Sequence, residues 1–276
     1  MTSEVWMGYL VHHTDDVTVI QSPFVMEGVR VFGADSDATT LAVAVILHRM
    51  QHEAVTSVGV PDGIDAETVS LACSVTAEVG DNEKEPAWDL LLSDEATLIF
   101  ARQGAEVELT SMDVEVEVDG EFHAALEDAW MRELSTTHVS QGAYVSKSQY
   151  EEGARSRLML EGQDGSSGIV WPPRFSDAVA GSTPEQRRLV PRGSVHSWTT
   201  LSAAGAPSEF ALRAPLLGGI STVLLDLEDG PKGVFLLVDD EDAELEIGLS
   251  MELVLRRIYA QEGFIRYGLK ARTMHS

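Results

Sequence analysis

The sequence predicts an α/β domain followed by a small all-β barrel, on three observations. Apolar runs in the first half switch between strand and helix spacing, a glycine- and serine-rich polar stretch interrupts the chain at 161–168, and five short β-prone runs follow it. With 276 residues, 44% of them hydrophobic, the chain can bury one large core or two small ones.

Residues 5–32 alternate apolar and polar positions, as at Val17, Val19, Val29 and Val31, which predicts two short strands with a turn near Ser22 and Pro23. Asp35 or Asp37 can cap a helix over 39–54, where Leu41, Ala44, Val45 and Leu47 or His48 recur at helical spacing. A buried strand over 55–60 and a second helix over 65–79, closed by Gly80, complete a βαβα rhythm. Residues 83–86 break the pattern, and 88–92 with 96–102 predict a strand pair around Ser93, Asp94 and Glu95. Residues 107–118 alternate with Asp113, Glu115 and Glu117 on one face, predicting a strand with one wet side. Residues 120–160 read as mainly helical, with Phe122, Leu126 and Trp130 spaced four apart.

The polar stretch has the composition of a flexible connection, so the expected domains are 1–160, a linker at 161–170, and 171–276. Beyond it the β-prone runs are 194–201, 221–227, 233–238, 245–247 and 251–259, with a hairpin turn over 228–233. Five short strands in that length predict a barrel.

Charge narrows the setting. Acidic residues number 45 against 19 basic ones, only four of them lysine, for a net charge of -26. A basic partner could account for this, but the acids are spread along the whole chain. That distribution favours a hydrated carboxylate surface adapted to molar salt, where the Debye length falls to about 3 Å and self-repulsion is screened. The single cysteine, Cys73, rules out an internal disulfide and a cysteine-only zinc site. The first residues lack a cationic segment followed by a long apolar run, and no stretch approaches the roughly 18 apolar residues that span a bilayer. A cytoplasmic protein without membrane contact is expected.

The second half carries a resemblance. Pro172-Pro173-Arg174, then Arg192-Gly193-Ser194-Val195-His196-Ser197-Trp198-Thr199, then Ala214-Pro215-Leu216, then Leu224-Leu225-Asp226-Leu227-Glu228-Asp229-Gly230, then Ile247-Gly248-Leu249, in that order, resemble the acyl-CoA-associated OB-fold proteins over 168–270. The resemblance implies an OB-fold barrel that docks on a thiolase or a 3-hydroxy-3-methylglutaryl-CoA synthase and helps hold or channel acyl-CoA. It places Pro172, Arg174, Arg192, Trp198 and Pro215 on the partner or acyl-CoA face. Typical members carry two C-x-x-C pairs after the Pro-Pro-Arg segment, and residues 175–184 here contain no thiol. The zinc ribbon is therefore expected to be lost, with His196 the one nearby imidazole and no metal bound there. Leu189-Val190-Pro191-Arg192-Gly193-Ser194 also reads as a thrombin recognition sequence, but it runs straight into the barrel motif and is taken as native.

The first half, around Asp35 to Ala44 and 55–60, resembles the first βα part of the thiolase superfamily, so the α/β domain is expected to be a degenerate thiolase-like half. Cys73 loosely matches that superfamily's nucleophile segment, which would make the chain an acyltransferase or synthase using a cysteine acyl acceptor. Too few residues precede the linker for a complete thiolase fold, Cys73 falls in mid-helix, and no histidine stands in an obvious base context. The expectation is a non-catalytic subunit with a thiolase-family partner, acyl-CoA as its possible ligand and no cofactor.

Other signals are weaker. His48 and His52 lie four apart beside Glu53, a spacing that could serve one metal, but the sequence names no third ligand and His12-His13 is weaker still, so no metal is expected. Asp239 to Asp242 lacks the alternate spacing of a calcium loop. No G-x-G-x-x-G, P-loop or G-x-S-x-G motif occurs. A single-strand nucleic-acid-binding OB barrel would need a basic groove with stacking aromatics, for which Arg187, Arg188 and Arg192 with Trp171 and Trp198 are the candidates. A net charge of -26 opposes phosphate, so those arginines suit CoA or a partner better.

Overall fold

A computed structural model describes residues 2–80, 88–107, 114–136, 158–173 and 185–274, and the chain divides into two compact units, 1–124 and 125–276. No helix among the described residues is long and apolar enough to cross a membrane.

The first unit opens with β1 (Thr2–Trp6), β2 (Tyr9–His13) and β3 (Val17–Gln21), an antiparallel meander, followed by a hairpin of β4 (Phe24–Met26) and β5 (Val29–Arg30). Residues 5–32 thus carry more strands than the two expected. Three extra turns result: one over Thr14 to Asp16, and two at Met7-Gly8 and Glu27-Gly28, with φ of 51° and 83° and of 52° and 80°. Two successive positive φ values give a turn whose twist suits a two-residue hairpin. Methionine and glutamate before the glycine conceal a signal that asparagine or aspartate would announce.

Helix α1 (Ala38–Arg49) is buried on every side, with only Leu47 partly open, which marks it as a core helix and not an amphipathic surface one. Asp37 is its cap: its carboxylate accepts from the Thr40 N–H, and the Asp37 N–H donates to the Thr40 hydroxyl. The helix stops at Arg49 instead of running to residue 54, and Met50 caps it. Strand β6 (Ser57–Val60) leads to α2 (Ala66–Cys73), capped by Asp65 and ended by Ser74 in the left-handed conformation at φ 59°. The expected helix over 65–79 is corrected here, because Thr76–Val79 forms β7, paired parallel to β6. Backbone pairing at a sheet edge prevails over the helical spacing of Val75 and Val79.

The expected pair over 88–102 is present as β8 (Trp88–Ser93) and β9 (Thr97–Arg102). The resulting sheet has seven strands in the order β1-β2-β3-β9-β8-β6-β7. Of the strand expected over 107–118, the described residues hold β10 (Val116–Glu117), parallel to β4; residues 108–113 lie outside them. Helix α3 (Gly120–Ser135) follows and runs across the division between the units. The rest of the helical reading, 137–157, lies outside the described residues.

The second unit is built on strands. The stretch expected as a flexible linker is instead a hairpin of β11 (Glu161–Gly165) and β12 (Gly168–Val170), with β13 (Gln186–Arg188) on the other side of β11. What composition concealed is the apolar content on either side: Leu160, Leu189, Ile169 and Trp171 all pack into one cluster with the barrel interior. Leu189, inside the thrombin-like segment, is only 2% exposed, so that segment is an integral part of the fold.

Five strands close a barrel: β14 (Arg192–Leu201), β15 (Ile220–Leu227), β16 (Lys232–Leu237), β17 (Ser250–Gln261) and β18 (Phe264–Thr273), in the order β14-β15-β16-β18-β17. β14 pairs with β17 to close it, and every pair is antiparallel except β16 with β18. Four expected runs match these strands. The fifth does not, since 245–247 is irregular, with Leu245 packed against the core and Ile247 77% exposed. The strand that closes the barrel is β18, whose Gly268, Lys270 and Arg272 broke the apolar alternation in the sequence.

Candidate functional site

The barrel carries a cleft of about 320 Å3 at one end. Strand β14 contributes Trp198 and Thr200, β15 contributes Ile220 and Ser221, and β16 contributes Leu236 and Leu237. The β14–β15 loop adds Phe210 and Leu217, and the segment after β16 adds Asp239, Glu241 and Asp242. Trp198 follows a register shift between Val195 and Ser197, after which every residue of β14 is exposed. Apolar and aromatic side chains share the lining with hydroxyls, carboxylates and Lys270, and its accessible surface is more polar than apolar.

A chain of alternating charges starts in the cleft lining, at Asp239 and Lys270, and continues to Arg213 and Glu133. Lys270 (1% exposed) donates to Asp239 at 2.7 Å, Arg213 reaches the same carboxylate at 3.3 Å, and Arg213 Nε donates to Glu133 at 2.7 Å. Arg213 also donates to the Ile258 carbonyl at 2.9 Å and stacks over Trp130 with its guanidinium carbon 3.6 Å from the ring centroid. Arg257 covers Trp130 at 4.4 Å and pairs with Glu127. Glu133, Arg213, Asp239 and Lys270 therefore balance two negative against two positive charges and fasten α3, the β14–β15 loop and β18 together. Burial pushes the Glu133 carboxyl up, against the opposing pull of the Arg213 guanidinium. At the side of the cleft Glu241 accepts from the Thr273 N–H and faces Arg272 at 3.7 Å.

The residues expected on the partner or acyl-CoA face do not all meet. Trp198 lines the cleft and is 45% exposed. Pro215 lies exposed in the β14–β15 loop, next to the exposed Leu216 and two residues from the cleft-lining Leu217. Arg192 begins β14, eight residues before Thr200, beside the β15–β16 turn, where its carbonyl accepts from the Glu228 N–H. Pro172 follows Trp171 through a cis peptide bond, and Trp171 stacks on Phe235 with centroids 5.4 Å apart. Arg174, and with it the thiol-free segment, lies outside the described residues. Leu236, Leu237 and the Asp239–Lys270 pair were not singled out from the sequence; an isolated lysine in a late strand gives no local sign of its partner.

The basic cluster considered for phosphate is partly committed elsewhere. Arg187 pairs with Asp229 at 3.0 Å, and the same carboxylate accepts from the Val190 N–H at 2.6 Å. His196 sits in an exposed trio, 2.9 Å from Asp226 and 2.9 Å from Lys232. Hydrogen bonds from Lys232 and His196 hold the Asp226 carboxyl below its ordinary range.

Cys73 is fully buried at the end of α2, with its sulfur 3.8 Å from the Val43 carbonyl of α1. A thiol there packs as a small hydrophobe and does not meet a substrate as large as acyl-CoA. His48 and His52 do have a third imidazole beside them, His13 of β2, which the sequence could not name because it lies 35 positions before His48.

No family model matches the chain. Among curated proteins, it is 29% identical over 135 residues to a DUF35 domain-containing scaffold protein of Pyrococcus furiosus, covering 48% of this chain and 95% of that protein. Among solved structures, a chain of the Ltp2–ChsH2(DUF35) aldolase aligns with 47% of this chain and 98% of its own, at 19% identity and a TM-score of 0.33. The similarity to a DUF35 scaffold protein over those 135 residues is in keeping with a resemblance to acyl-CoA-associated partner proteins.

Proposed function

We propose that this protein is a non-catalytic scaffold subunit in acyl-CoA metabolism, which binds an enzyme of the thiolase superfamily in the cytoplasm and helps to hold its acyl-CoA. The relationship to a DUF35 scaffold protein is the observation that carries this reading. The barrel supports it: five strands with one parallel pair, β16 with β18, suit an OB module. Exposed apolar side chains, Trp198, Leu201 and Leu216, lie on β14 and in the loop after it, where a partner would cover them. The buried Cys73 argues against acyl transfer by this chain. The N-terminal unit is read as a degenerate thiolase-like half used for contact.

The cleft's chemistry limits how acyl-CoA would lie. Asp239, Glu241 and Asp242 repel phosphates, whereas Trp198, Phe210 and Leu237 suit an acyl or pantetheine chain. The phosphates would fall towards the partner.

Mixing the purified chain with a thiolase-superfamily enzyme of its own host in molar KCl tests this by size-exclusion chromatography. Co-elution is expected, with Trp198→Ala weakening it by about 30-fold or more if Trp198 is an anchor of the interface. Separate elution of both proteins, or an acyl adduct on Cys73 in intact mass after acyl-CoA incubation, would reject the scaffold reading.

A further inference from the structure

Three imidazoles converge in the first unit. His13 ends β2, His48 lies in the last turn of α1, and His52 lies in the turn just after it. Each offers a ring nitrogen, and these nitrogens lie within 4.8 Å of one another. The rings are tilted against each other, with centroids 5.0 Å apart for His13 and His48, 4.8 Å for His13 and His52, and 5.4 Å for His48 and His52.

The surroundings are arranged around this meeting point. His48 is 1% exposed, its Nε2 is 2.7 Å from the Glu4 carboxylate of β1, and the edge of Trp6 packs on its ring at 5.7 Å. Trp6 is itself fixed by donating to the Ala44 carbonyl at 3.2 Å. With Nε2 engaged by Glu4, His48 has Nδ1 left over. That Nδ1 and the Nδ1 of His13 are both shielded from solvent and have no hydrogen-bond partner. A buried polar nitrogen without a partner is costly, and two such nitrogens in adjoining rings point to a shared ligand. The nearby cation is already committed: Arg49 pairs with Glu53, donates to the Thr14 and Asp15 carbonyls, and stacks over Trp88 at 4.6 Å.

We infer that His13, His48 and His52 form a binding site for a late first-row divalent cation such as Zn2+, with Glu4 as the carboxylate that orients His48. Three neutral imidazoles are a donor set for Zn2+, Cu2+ or Ni2+, whereas Mg2+ and Ca2+ take oxygen ligands. Zn–N distances of about 2.0–2.1 Å require the three nitrogens to draw together slightly, and the exposed His52 can make that adjustment. A carboxylate accepting from the far nitrogen of a ligating imidazole fixes its tautomer and turns the other nitrogen to the metal. The fourth position falls to water or to an exchangeable ligand on the His52 side. Such an ion would pin the β1–β2 hairpin to the end of α1.

The experiment is a titration of the metal-stripped full chain with Zn2+ in molar KCl and excess Mg2+, read by competition with a chromophoric chelator and by thermal unfolding. Excess Mg2+ saturates the general carboxylate surface, which a chain of charge -26 would otherwise bring into play. A single tight equivalent and a rise in unfolding temperature are expected. His52→Ala, at an exposed position outside the helix, should keep its circular dichroism spectrum and lose both responses, and Glu4→Gln should weaken binding about 10-fold. Absence of Zn2+ uptake, or uptake equal in the wild type and His52→Ala, would overturn the site. These readouts do not depend on any enzyme partner, so they stand apart from the scaffold reading.

Discussion

Arg213 is the residue on which the second unit turns, since its guanidinium contacts Glu133, Asp239, the Ile258 carbonyl and the Trp130 face. Arg213→Leu leaves the buried Glu133 and the half-buried Asp239 each short of a partner and should cost about 3–5 kcal/mol in urea unfolding. Glu133 adds a pH signature. Its carboxyl is raised above the ordinary 4.5, so the folded state binds the proton more tightly than the unfolded chain does. Its contribution is therefore complete below that ordinary value and is lost as pH rises through the raised one. Glu133→Gln cannot titrate, and its urea midpoint should vary less than the wild type's over that window. None of these partners was legible in the sequence, because Glu133, Arg213, Asp239 and Lys270 are scattered over about half the chain's length and no local spacing joins them. Cys73 was partly legible: its place in a helix was expected, and its complete burial followed from the packing of α1 beside it.

Among the elements, strand alternation carried the barrel well where both faces kept their character, as in β15, and failed for β18, where lysine and arginine occupy inward or edge positions. The helix expected over 65–79 stops at Cys73: periodicity cannot sense a neighbouring strand offering hydrogen bonds, as β6 offers them to β7. The hairpin at 161–170 is hidden in the sequence because its polar composition matches that of a flexible connection, while its anchors, Leu160 and Trp171, stand just outside the polar stretch. Strand β14 carries a sharp constraint at Gly193, where an added Cβ would lie 2.5 Å from the Asp226 carbonyl oxygen of β15. Backbone cannot retreat there without breaking the ladder. Gly193→Ala should destabilise the chain by about 1–3 kcal/mol, read as a lower urea midpoint.

For the whole molecule, the charge of -26 sets the conditions under which every other property is expressed. We propose that the carboxylate surface is an adaptation to molar salt, so the unfolding temperature should rise steadily as KCl goes from about 0.1 M to above 1 M, where the Debye length contracts from about 10 Å to about 3 Å. A maximum at low salt would contradict it. The functional reading rests on one unit of barrel and cleft, on a buried thiol, and on kinship with a scaffold protein. Its most direct test is affinity purification of the tagged chain from its native host in molar salt, with every co-purifying chain identified by mass spectrometry. The scaffold account predicts a thiolase-superfamily enzyme recovered in fixed ratio with this protein. Recovery of the chain alone, or with nucleic acid in place of an enzyme, would contradict it.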